Sequence, residues 1–124
     1  MTFRVNTLNN LPGKLCYDLW AKQRKSLYQI PFILANEHDV RNKRTGGLVT
    51  PQGVERAAWL YALEHLEEAK VDTVSIMSQS GKVVDDAVWN AEIISKARRF
   101  YSQKKYRRFL AIHPELKKYA EESS

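Results

Sequence analysis

The stretch "VDTVSIMSQSGKVV", residues Val71 to Val84, is the one part of this chain that reads two ways. Its β-branched residues suit a strand, whereas the segments on either side carry apolar residues at helical spacing. A lone short strand has nothing to pair with and does not hold in water. The stretch is therefore expected to be a short helix followed by a turn at Ser80-Gly81. That reading makes the chain all-α, a compact bundle of about five or six helices in a single domain.

Immediately downstream, Asp85 and Asp86 suit the positive end of a new helix. "AVWNAEIISKARRFY" continues it, with Val88, Ala91, Ile94 and Tyr101 expected on one broad apolar side. His113-Pro114 ends whatever precedes it, and Pro114 opens a short terminal helix, "PELKKYAEE", before a frayed end at 120–124.

Upstream, Thr50 followed by Pro51 has the form of an N-cap with proline in the first turn. It opens a helix through "QGVERAAWLYALEHLEEAK" whose core side is Val54, Ala58, Trp59, Ala62, Leu63 and Leu66. Before it, "DVRNKRTGGLVTPQG" is polar, charged and glycine-containing, so a mobile basic loop is expected over about residues 39–50. From Pro12 to His38, residues Leu15, Cys16, Leu19, Trp20, Leu27 and Ile30 recur at near-helical spacing. Lys22, Arg24 and Lys25 close a first helix, and Pro31 marks a break that begins a second short one.

The 124 residues fit one domain, with apolar and charged fractions of 44% and 27% that match ordinary folded proteins. No segment has signal-peptide form and none approaches the ~20 apolar residues of a membrane span, so the expected compartment is cytoplasmic with no membrane partner. Cys16 is the single cysteine and the three histidines are scattered, so neither a disulfide nor a local metal motif is expected.

The formal net charge is +6 and it is concentrated in one place. "KARRFYSQKKYRRF", Lys96 to Phe109, holds seven of the 20 basic residues and no acid, while the remaining 13 face 14 acids. Charge gathered in this way attracts anionic partners. Arg98-Arg99-Phe100 and Arg107-Arg108-Phe109 are one tripeptide repeated nine residues on, and nine residues on a straight helix come to two and a half turns. The copies would face opposite sides, so the helix is expected to break near Ser102-Gln103, leaving Tyr106, Phe109 and Leu110 as the apolar side of a second segment.

Phe100 and Phe109 are expected in the core, while Tyr101 and Tyr106 are candidate stacking residues at its boundary. The cations need neutralising from elsewhere. Glu64, Glu67 and Glu68 are candidates within the chain, and a phosphate backbone is the candidate outside it. Arg suits bidentate phosphate contacts and Lys acts as a point charge, a mixture for tracking a backbone rather than reading bases. The expected nucleic-acid contacts are Lys96, Arg98, Arg99, Lys104, Lys105, Arg107 and Arg108, with Arg41, Lys43 and Arg44 of the loop as a second clamp. No zinc finger, leucine-zipper basic region or RNP1 pattern is present, so binding should be largely nonspecific.

Catalytic readings find less to stand on. Gly81-Lys82 lacks the first glycine of a phosphate-binding loop and is followed by Val83 where a metal-binding hydroxyl belongs. Glu64-His65 and Asp85-Asp86 are adjacent on helices and point about 100° apart. Cys16 lies among leucines as a small core residue. The chain is expected to be no enzyme and to need no cofactor.

A short chain with "KARRFYSQKKYRRF" on predicted helix resembles the small subunit of CRISPR effector ribonucleoproteins. That resemblance implies a role in antiviral defence, with copies of the chain side by side holding a DNA or RNA strand along their basic faces. Arg98, Arg99, Lys104, Lys105, Arg107 and Arg108 would then be phosphate contacts. The competing expectation is a protein-protein adaptor or inhibitor, phage- or plasmid-encoded for example, whose cations dock on an acidic protein surface.

Overall fold

The computed structural model describes residues 11–78, Gly81 and residues 83–122. Among them are seven α-helices and no strand: α1 Gly13–Tyr17, α2 Ile30–His38, α3 Pro51–Glu64, α4 Leu66–Ser78, α5 Asp86–Phe100, α6 Gln103–Ile112 and α7 Lys117–Glu122. The all-α reading is borne out, and Val71 to Ser78 are helical. Gly81 has φ +85°, as a turn there requires, while Ser80 and Lys82 lie outside the described residues.

The helices group into two units that divide after Ala69. In the first, α1 packs on α3, with α2 also against α3. Cys16, Tyr17, Leu34, Val54, Ala58, Ala62 and Leu63 are buried in it. Gly13 permits the close approach of α1, since a Cβ there would stand 3.3 Å from the Ala57 carbonyl oxygen. Thr50 caps α3 as expected, its Oγ1 accepting from the Gly53 amide at 3.0 Å.

Between α1 and α2 the chain departs from the expected pattern. Asp18–Lys22 is a π-helical turn in which the Gln23 amide reaches back five residues to the Asp18 carbonyl. Leu19 and Ala21 are both buried there, and Trp20 lies 5.3 Å from Trp59 between ring centroids. Arg24 then adopts φ +60° and ends the helical run, so the interruption falls well before Pro31. Pro31 sits instead in the first turn of α2, where its fixed φ suits the start of a helix.

The helix expected to run from Pro51 to Lys70 is cut at His65, with φ −137° and ψ 59°. The His65 amide bonds to the Ala62 carbonyl, and its ring Nδ1 donates to the Tyr61 carbonyl at 2.9 Å. The imidazole thus takes the acceptor that a continuing helix would give to the backbone. Its ring stacks on Tyr61 at 4.0 Å, and the Tyr61 hydroxyl donates to Glu68. Partial burial, then the Glu68 carboxylate, holds that phenol above its ordinary range.

In the second unit α5 contacts α6 and α7. Asp85 caps α5 by accepting from the Val88 amide at 2.9 Å, and Lys70 pairs with Asp86. The buried side of α5 is Trp89, Ile93, Ile94 and Ala97. Ile94 lies where expected; Ala91 is exposed and Val88 only half-buried. Trp89 is the reason, because seating its indole in the core fixes the rotation of the whole helix.

Candidate nucleic-acid interface

The basic stretch folds as the end of α5, a two-residue link and α6. Tyr101 and Ser102 are both extended, and the Ser102 hydroxyl accepts from the Lys105 amide at 3.2 Å. A serine cap after two extended residues starts a new helix, which is the break that the repeated tripeptide demanded.

The aromatics are divided by depth. Phe109 is buried, 5.7 Å from Tyr101 and 4.7 Å from His113 between ring centroids. Phe100 is half-buried beneath the Arg99 guanidinium, whose carbon is 4.9 Å from the ring centroid. Tyr101 and Tyr106, the candidate stacking residues, are also half-buried. Lys105 lies over the ring of Tyr101 at 4.9 Å and Arg98 over that of Tyr106 at 5.7 Å. The Tyr106 hydroxyl is itself buried and makes no hydrogen bond among the described residues.

The cations fall into two sets. Lys96 pairs with Glu92 at 3.3 Å across one helical turn. Arg98 donates to the Ala120 carbonyl at 2.9 Å, and Arg99 and Lys105 rest on aromatic rings. These four are engaged with the fold. Lys104, Arg107 and Arg108 are exposed and have no carboxylate partner among the described residues. Glu68, offered by the sequence as a neutralising acid, pairs with Lys22 at 3.0 Å in the first unit.

Helical geometry puts those three cations together. At 100° per residue, Arg107, Lys104 and Arg108 occupy an arc of about 100°. Ala111 stands in its middle, three residues after Arg108 and four after Arg107, and is exposed. Along the axis Ala111 lies one turn beyond Arg107 and Arg108, where its small side chain leaves that end of the charged strip uncrowded. Tyr106, Phe109 and Leu110 fill the opposite side, so α6 has one face for the fold and one for solvent. Ala111 carries no charge signal, and only its position in the arc reveals it.

The loop cations belong to the first unit. Arg41, Lys43 and Arg44 are exposed around a turn closed by Asn42, whose Oδ1 accepts from the amides of Arg44 at 2.9 Å and Thr45 at 3.3 Å. The Asn42 amide donates to the Gly47 carbonyl, and Gly46 has φ +77°. The loop is a defined turn that projects three cations. Exposed aromatics in the same unit, Tyr28 and Phe32, were not anticipated from the sequence.

No group of His, Cys, Asp and Glu among the described residues is arranged to hold a metal ion, and none of the described helices is long and apolar enough to cross a membrane. Comparison with family models, curated proteins and solved structures gives no match to this chain.

Proposed function

We propose that this chain binds nucleic acid through the phosphate backbone, with little sequence preference and no catalysis, as a helical subunit of a larger nucleoprotein assembly. The observation that carries the reading is the outer face of α6, where Lys104, Arg107 and Arg108 share one strip, with Ala111 at its end, and have no internal counter-charge among the described residues. Two arginines offer planar forks to phosphate oxygens and a lysine adds a flexible charge. Like charges this close on one helix repel, and an anionic partner relieves that repulsion. The resemblance to CRISPR effector small subunits supplies one assembly in which such a face would track a strand.

The test is fluorescence anisotropy with single- and double-stranded DNA and RNA over a range of salt. About three phosphates engaged by Lys104, Arg107 and Arg108 on a single strand give a log-log salt slope of about −2. Absence of binding to all four polymers at low salt, together with capture of an acidic protein, would assign the face to a protein partner instead.

A further inference from the structure

Tyr28 and Phe32 keep 76% and 56% of their surface in solvent, the largest aromatic exposures among the described residues of the first unit. A single exposed ring is commonplace, but these two are four residues apart on one helical path. The path begins before α2 proper, because the Ile30 amide bonds to the Ser26 carbonyl and Gln29 has φ −79° and ψ −34°. Asn36 follows four residues after Phe32, is exposed, and its side chain makes no hydrogen bond among the described residues. Ile30, Leu34 and Ala35 anchor the other side of α2 in the core, so the stripe is held on a fixed element.

We infer that Tyr28, Phe32 and Asn36 form a platform on which bases of a single-stranded nucleic acid stack. Tyr28 and Phe32 are about 6 Å apart along the helix axis, more than the 3.4 Å between stacked bases, so each ring takes a base of its own. The Asn36 amide offers a donor and an acceptor to a base edge. Cations stand at both ends of the stripe: Lys25 precedes it, and the loop with Arg41, Lys43 and Arg44 follows α2 directly. Glu37 is rotated about 140° from Phe32, and Asp39 lies beyond the helix in the left-handed turn that ends it. Rings between cations, with no acid along the stripe, match a strand of flat bases on a phosphate chain better than they match a protein surface. Paired bases have no open faces, so the platform selects single strands.

The inference takes the class of polymer from the function proposed above, but its test separates the two. Anisotropy is measured with a labelled single strand of ~12 nucleotides and with a blunt duplex, for the full chain, Tyr28→Ala/Phe32→Ala and Lys104→Gln/Arg107→Gln/Arg108→Gln. Both substituted sets are on the surface, and circular dichroism checks that they fold. The aromatic variant should lose about tenfold or more in single-strand affinity while keeping duplex affinity and salt slope. Single-strand affinity within about twofold of the unaltered chain overturns the platform and leaves the α6 reading standing. Retention of binding by the α6 variant, with loss in the aromatic one, does the reverse. Self-association that disappears in the aromatic variant, with strand binding unchanged, would assign the stripe to a second copy and also overturn the platform.

Discussion

The Arg98 guanidinium donates a 2.9 Å hydrogen bond to the Ala120 carbonyl, tying the end of α5 to α7. Arg98 also lies over the Tyr106 ring of α6, so one side chain touches three helices. This makes it a structural cation within a stretch that otherwise suggests ligand contact. Arg98→Gln is expected to lower unfolding free energy by about 1 kcal/mol, below the ~1.5–3 kcal/mol of charged hydrogen bonds because the group is partly in water. Urea melts check it, with Arg108→Gln expected to change stability by less than ~0.5 kcal/mol.

Ala111 gives a sharper probe of the α6 face than removal of cations does. Ala111→Glu places a carboxylate one turn from both Arg107 and Arg108, where it competes with an external anion. Unfolding free energy should change by less than ~0.5 kcal/mol, because an exposed pair of this kind contributes little. Nucleic-acid affinity should fall about tenfold, read by anisotropy at low salt. Unchanged affinity would mean that phosphates do not approach this face.

Ser102 links stability to binding, since its hydroxyl caps the helix that carries the three cations. Ser102→Ala should cost about 1 kcal/mol and fray the first turn of α6. Ser102→Asp keeps the cap and should restore stability while leaving a negative charge beside Lys104. Thermal melts and binding measured on both variants separate the two effects.

The Cys16 thiol is fully buried, and burial pushes its pKa up to about 11. In the native protein it should resist alkylation at pH 8 and react only as the chain unfolds. The unfolded thiol ionises near its ordinary value of 9.0 while the folded one stays protonated. Above that pH the unfolded state binds fewer protons, so this contribution to stability is whole below pH 9 and is lost as the pH rises towards 11. Denaturant melts of Cys16→Ala, compared with the unaltered chain across that range, check the sign.

What the sequence made legible was local. The caps at Thr50 and Asp85 and the break at Ser102 involve bonds spanning three residues, and each follows from residue type and position. The loop before α3 was legible for the same reason. The break at His65 was not, because it needs a side chain to displace a backbone donor inside a pattern that continues as helix on both sides. The inward role of Arg98 depends on a carbonyl twenty-two residues away, and nothing near Arg98 announces it. Nothing in the sequence marks Phe32 as exposed; only the phase of Ile30 and Leu34, once fixed, turns it outward.

The wide turn at Asp18–Lys22 makes this stretch count its residues. Substitutions there can be absorbed one side chain at a time, but deletion of a single residue would tighten the turn to ordinary helix. Such a deletion removes the extra residue that the wide turn holds, so the chain beyond it keeps its phase while the side chains inside the turn are redistributed, Trp20 against Trp59 among them. A one-residue deletion within 18–22 should therefore be absorbed inside the turn, whereas an insertion would have to widen it further.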